Sequence, residues 1–135
     1  MISSDLTLTA QFYDLDPMGV VWHGNYARFL EQARCKLLDE IGYNYTEMQT
    51  SGYVWPIVDV RIKYVRPIRF HQQFTVTATI VEYVNRLKIE YVIRDQASGE
   101  IVTKAMTIQV AVDATTNELC LETPPVLTEK LKGNA

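Results

Sequence analysis

The period of the apolar positions changes twice along the chain. Leu6, Leu8 and Ala10 alternate with Thr7, Thr9 and Gln11, the two-residue repeat of a strand with one covered face. The turn-rich stretch "YDLDPMG" ends that strand. From about Asn25 the repeat lengthens: Tyr26, Phe29, Leu30, Ala33, Leu37, Leu38 and Ile41 follow steps of three and four. They form one apolar stripe about four turns long. Arg28, Gln32, Arg34, Lys36 and Asp39 fall elsewhere on the wheel, and Gly42 supplies a C-terminal stop. "YTEMQTSGY" reads as a short helix or turn.

The chain then returns to strands until about Asp113. "YVWPIVDVRIKYV" is rich in Val, Ile and aromatics, and "RPIRFHQQ" interrupts it with a proline. "FTVTATIVEYV" and "RLKIEYVIRD" flank a turn at Asn85, and "QASGE" leads into "IVTKAMTIQVAVD". In the second of these pairs Leu87, Ile89, Tyr91 and Ile93 point one way and Arg86, Lys88, Glu90 and Arg94 the other, with Val92 the exception. The tail "LTEKLKGNA" is a short helix at best. One helix and consecutive strands predict an α+β fold, the helix lying on an antiparallel sheet of five strands. One helix cannot cover such a sheet completely, so a second subunit is expected, with sheet-edge pairing as a natural route.

Composition narrows the function. The 135 residues fit a single domain, 1–135, and 47% hydrophobic with 21% charged residues is ordinary for a globular protein. A net charge of −3 disfavours nucleic-acid binding. No apolar run approaches a membrane span and no signal peptide is visible, so a cytoplasmic protein is expected. Two cysteines, Cys35 and Cys120, are too few and too far apart for a disulfide framework or a zinc site. Cys35 falls inside the helical pattern and reads as a buried small hydrophobe. No metal is expected.

The chemistry is carried by "DLDPMGVVWHGNYARFLEQAR". It resembles the signature of hotdog-fold acyl-CoA thioesterases, in particular the branch of bacterial 4-hydroxybenzoyl-CoA thioesterases and their Tol-Pal-associated relatives. The pattern is carried by Asp16, Gly19, Val20, Val21, Trp22, His23, Tyr26, Leu30 and Glu31. The resemblance implies a curled antiparallel sheet wrapped around the long helix, and dimers or tetramers whose active sites lie between subunits. It also implies an acyl-CoA substrate, with coenzyme A as part of that substrate rather than a cofactor.

A thioester's leaving thiolate has a conjugate-acid pKa of about 8.5 by the cysteine reference. The site therefore needs an attacking oxygen and a home for the oxyanion more than a leaving-group acid. Asp16 can attack directly, forming a mixed anhydride, or activate a water. The first amides of the following helix lack intrahelical partners and favour negative charge. The resemblance places the key amide at His23 or Gly24, with a catalytic side-chain role possible for His23. Asp14 reads as a turn residue. Other hotdog branches put their catalytic carboxylate on this helix, whereas Glu31, two turns into it, reads here as a buried, hydrogen-bonded helix residue. Tyr26 and Phe29 read as core. Tyr53, Trp55 and Tyr64 read as an aromatic pocket or as core. Arg66, Arg69, Arg86 and Lys88 are candidates for the coenzyme A phosphates, or else a solvated strand edge. Many relatives carry Gly-Asp where this chain has His71-Gln72.

Rival chemistries fare worse. A D-x-D phosphatase needs a parallel sheet with alternating helices, and a Ser-His-Asp esterase needs a G-x-S-x-G elbow that is missing. A hotdog dehydratase would need a histidine-bearing loop that is not evident. The rival from another class is a hotdog that binds acyl-CoA as a sensor or scaffold without hydrolysing it.

Overall fold

In the computed structural model, residues 2–134 are described. Strand β1 (Ser3–Thr9) leads through a loop to helix α1 (Tyr26–Glu40) and the short helix α2 (Tyr45–Ser51). Strands β2 (Tyr53–Val54), β3 (Ile57–Tyr64), β4 (Gln73–Glu82), β5 (Leu87–Asp95), β6 (Ile101–Gln109) and β7 (Val112–Asp113) follow, and helix α3 (Pro125–Asn134) ends the chain. Five strands form one sheet in the order β1-β4-β5-β6-β3, with every neighbouring pair antiparallel, and β2 pairs with β7 separately. This is the expected α+β hotdog architecture.

The apolar repeats become the core directly. All seven residues of the helical stripe, Tyr26 to Ile41, are buried. They meet Phe74, Val76, Ala78 and Ile80 of β4 and Leu87, Ile89, Tyr91 and Ile93 of β5, the alternate residues of each strand. Val92 is half-buried on the opposite face. Gly42 closes α1 at φ +76°, a conformation glycine adopts without the Cβ penalty. Asn44 and Glu47 form a capping box for α2.

Four expectations need correcting. The stretch "YVWPIVDVRIKYV" is two strands, because Trp55 and Pro56 break it between β2 and β3. The terminal helix starts at Pro125 and is longer than its polar sequence suggests, since Leu127 and Leu131, one turn apart, are fully buried. Cys35 is exposed. At ~100° per residue it lies on the face of α1 opposite the stripe. Glu31 is exposed as well, paired with the more buried Arg34.

Strand β3 is a bare edge. Ile57, Val58, Val60 and Tyr64 are all substantially exposed. Its pairing with β6 sets Val60, Ile62 and Tyr64 opposite Thr107, Ala105 and Thr103, and directly opposed residues share a face. Thr107 and Ala105 stand in turn opposite Ile89 and Tyr91 on β5, so these β3 side chains lie on the helix side of the sheet.

Candidate active site

Asp16 begins a tight turn. The Gly19 amide donates to the Asp16 carbonyl at 3.1 Å, and the Asp16 amide donates to the Val20 carbonyl at 2.8 Å. Gly19 lies at φ +81°, so a residue with a Cβ would be strained there. The carboxylate is fixed by its own turn: Oδ1 accepts from the Met18 amide at 2.8 Å and from the Val20 amide at 3.4 Å. Oδ2 accepts from no group among the described residues. The returning strand is stitched to the β3–β4 connection, with the Val21 amide donating to the Ile68 carbonyl at 2.8 Å.

Asp14 anchors this loop to the helix. It is buried, its carboxylate accepts from the Gln11 amide at 2.9 Å and pairs with Arg28 of α1. Its carbonyl accepts from the Trp22 amide at 2.9 Å and from Asn25 Nδ2 at 2.8 Å. Asp14 is therefore a structural turn residue, as read from the sequence, and its burial follows from the arginine that neutralises it.

The helix enters through a single 3₁₀ turn, His23–Asn25. The Trp22 amide goes to Asp14, the Asn25 amide to Trp22 and the Tyr26 amide to the His23 carbonyl. The His23 and Gly24 amides meet no acceptor among the described residues, the usual state of a helix start. A second donor reaches the same carbonyl: Tyr64 Oη gives a hydrogen bond to His23 O at 3.0 Å. Across a planar trans peptide the N–H points opposite to the C=O. Holding the His23 oxygen from two sides therefore fixes the Gly24 N–H, directed out of the helix's N-terminal end. The Trp22 indole lies over Gly24 so closely that a Cβ there would stand 2.4 Å from ring carbons.

Asp16, His23, Tyr26, Tyr64 and Arg66 line one cleft of about 300 Å3. Its floor is aromatic. The Tyr26 and Tyr64 rings meet edge to face at 4.8 Å, and the His23 ring stands edge-on to Tyr64 at 6.4 Å. Burial raises the Tyr26 phenol above its ordinary value, so it stays protonated. Gly24 lies beneath Trp22 rather than in the cleft wall. The arrangement offers an oriented carboxylate beside a helix start with unbonded amides.

The basic candidates separate. Arg66 is in the cleft wall, ion-paired to Glu100 at 3.7 Å. Arg69 bridges to Val20 close by. Arg86 is held by Glu82 at 3.1 Å at the far end of β4, roughly 30 Å away along that strand at ~3.3 Å per residue. Lys88 lines a shallow depression with Arg61, Lys63 and Lys104. It alternates with the buried Leu87 and Ile89, so it faces away from the helix. The four therefore form no single cluster within one chain, because strand length and alternation part them. His71 takes φ +63°, a left-handed conformation that favours glycine, and its amide donates to the Ala10 carbonyl at 3.0 Å. Tyr64 is one of three aromatic residues whose role the sequence left open. Only the strand's register shows that it reaches the helix start.

Residues 10–131 match the thioesterase-like superfamily. The chain belongs to that superfamily. YneP of Bacillus subtilis (strain 168), a protein assigned to the acyl-CoA thioesterases, is 30% identical over 78% of this chain and 77% of its own length. The DHNA-CoA thioesterase of Staphylococcus aureus superposes with a TM-score of 0.85 at 26% identity, covering 98% of this chain and 91% of that one. A 4-hydroxybenzoyl-CoA thioesterase bound to 4-hydroxybenzoyl-CoA shares the fold, with a TM-score of 0.83 at 22% identity over 96% and 98% of the two chains. Among the described residues no helix is long and apolar enough to cross a membrane.

Proposed function

We propose that this thioesterase-superfamily protein hydrolyses the thioester of a small aliphatic or aromatic acyl-CoA to the free acid and coenzyme A. The observation that carries the reading is the cleft shared by Asp16, whose carboxylate has one unengaged oxygen, and His23, whose amide at the helix start is unbonded, with the unbonded Gly24 amide next in the chain beneath Trp22. Asp16 Oδ2 takes a proton from water while the water oxygen attacks the acyl carbon, or Oδ2 attacks that carbon itself. The carbonyl oxygen becomes an oxyanion, to which the two amides donate, each such donor contributing roughly 3 kcal/mol. The C–S bond then breaks and the thiolate leaves. If an anhydride has formed, water hydrolyses it in a second step. Single-turnover reaction in labelled water separates the two routes, since only the anhydride can carry solvent oxygen into Asp16. The spacing of Asp16 and His23 supports placement near the 4-hydroxybenzoyl-CoA and Tol-Pal-associated branch, with the His23 ring orienting water or substrate. Arg66, and after it Arg69, are the phosphate contacts this chain offers to its own cleft.

A second copy completes the site. The bare β3 edge, with its exposed Ile57, Val58, Val60 and Tyr64, pairs antiparallel with itself about a two-fold axis. That closure brings the end of the sheet carrying Arg86 toward the neighbouring cleft, and it sustains a homodimer or a dimer of dimers.

The test is thiol release from a panel of acyl-CoAs. Asp16→Asn keeps the carboxylate's shape and removes its basicity, so turnover falls by at least ~100-fold with the folded spectrum and coenzyme A binding retained. His23→Ala loses less, about tenfold. Full activity in Asp16→Asn overturns the assignment. Binding without release from any member makes the protein an acyl-CoA sensor.

A further inference from the structure

One end of the sheet carries a surface that the chemistry of the cleft does not use. Two loops make it, one between β1 and α1 and one between β3 and β4. They are laced together: Val20 bridges to Arg69, and the Phe12 and Phe70 rings meet edge to face at 6.4 Å. Yet Phe12 is 79% exposed, Tyr13 75%, Met18 83% and Phe70 47%. An acid inside and large apolar groups outside invert the usual partition. The cause is local. Phe12–Asp14 is a single 3₁₀ turn, whose three residues point three ways. Arg28 and the Gln11 amide hold Asp14 inward, so Phe12 and Tyr13 are turned out. Met18 stands in the tight turn that Asp16 begins, and Phe70 in the turn closed by the Gln72 amide on the Arg69 carbonyl at 3.1 Å.

The charge displayed here has one sign. In residues 11–28 and 65–73 the exposed charged side chains are Arg28, Arg66 and Arg69. The two acids of these segments are withdrawn, Asp14 buried and Asp16 half-buried in its own turn. The acids that flank the neighbouring β5–β6 turn are engaged. Asp95 accepts from Gln72 Nε2 at 3.0 Å and from the Ser98 amide at 2.9 Å, and Glu100 pairs with Arg66 at 3.7 Å. The whole chain carries −3, so this positive, apolar face is a local segregation.

We propose that this surface docks the protein on an anionic lipid bilayer, with Phe12, Tyr13, Met18 and Phe70 entering the headgroup boundary and Arg28 and Arg69 meeting lipid phosphates. Apolar side chains on projecting turns, with cations beside them and no exposed acid among them, match such a boundary in both polarity and charge. A second copy paired along β3 does not cover the Phe12–Phe70 pair. That pair lies where the chain enters β4, three strands in from β3, roughly 14 Å away at ~4.8 Å per strand. Met18 shares its turn with Asp16, so docking brings the mouth of the cleft to the bilayer surface.

The experiment is cosedimentation of the full chain with two kinds of vesicle, phosphatidylcholine alone and phosphatidylcholine mixed with phosphatidylglycerol. No thioester is present, so the result stands apart from the reaction. The wild-type protein partitions onto the mixed vesicles about tenfold or more above the neutral ones, and added salt releases it. The double variant Phe12→Ser, Met18→Ser loses about tenfold or more of that binding. Arg69→Gln loses about fivefold. No partition onto either vesicle, or equal partition onto both, overturns the proposal, and this wild-type comparison decides even if a variant does not fold. Binding that survives both variants overturns it too, by placing the contact elsewhere. A wild-type oligomer that falls apart in the double variant, read by sedimentation velocity without vesicles, assigns the surface to a second copy instead.

Discussion

Replacing Tyr64 by phenylalanine tests how the helix start is held. The substitution removes one oxygen and leaves the ring on Tyr26 and His23. The His23 carbonyl then keeps the Tyr26 amide and loses the Tyr64 hydroxyl, which stands at 3.0 Å. Tyr64 is 47% exposed, so the net loss in stability is that of an ordinary hydrogen bond, about 1 kcal/mol. For a chain of this length that is a fall in Tm of roughly 3–4 °C. The consequence for turnover is separate. The bond fixes the peptide plane whose N–H belongs to Gly24, so its loss lets that donor tilt. A full donor supplies roughly 3 kcal/mol. With one of two restraints remaining, about a third of that disappears, a five- to tenfold fall in kcat. KM changes little, because the donor acts on charge that develops only in the transition state. Steady-state kinetics beside a thermal melt give both numbers. A normal kcat with the expected drop in Tm would show that the tyrosine braces the fold and does not aim the amide. A loss confined to KM would point to substrate contact instead.

Two further outcomes follow from the sheet. Val60→Glu sets a carboxylate on the bare β3 edge, on the helix side of the sheet, and where two copies meet the charges repel. Sedimentation should show a monomer that has lost thiol release but keeps its circular dichroism, and a fully active monomer would refute the shared site. Burial pushes the Tyr91 phenol up to about 12, whereas an unfolded tyrosine ionises near 10. The folded state therefore holds its proton longer. This contribution is complete below pH 10 and is lost between pH 10 and 12, in all roughly 2–3 kcal/mol. Urea midpoints measured across that window should fall steeply, and Tyr91→Phe should flatten the fall. An unchanged slope would mean that another group governs alkaline unfolding.

Much of the fold was legible because its signals are local. The stripe from Tyr26 to Ile41 and the alternation of Leu87, Ile89, Tyr91 and Ile93 each declare a face within a few residues. Both became core as read. Cys35 misled because its company on the helix is apolar while its own angle is not. Glu31 was assigned to the interior on type and position, yet Arg34 holds it outside. The candidate cleft was half legible. "DLDPMG" announces a turn and a carboxylate in front of a helix start, and the structure brings Asp16 and His23 to one cleft. Tyr64 could not be placed without the sheet order, since its contact spans forty-one residues and depends on β3 lying at the edge. The scattering of Arg66, Arg69, Arg86 and Lys88 was hidden for the same reason. Closeness in a list of basic residues says nothing about which end of a strand each one occupies.

Asp14 was introduced as an anchor, and its reach has a mechanical meaning. One residue fastens the preceding turn through Gln11, the helix body through Arg28 and the helix mouth through Trp22 and Asn25. The hairpin bearing Asp16 and the amides of His23 and Gly24 thus move as one piece, like two jaws cut from a single block. The turn and the helix mouth are set against each other chiefly by bonds within one loop, and Tyr64 of β3 and the Ile68 carbonyl are that loop's ties to the chain beyond.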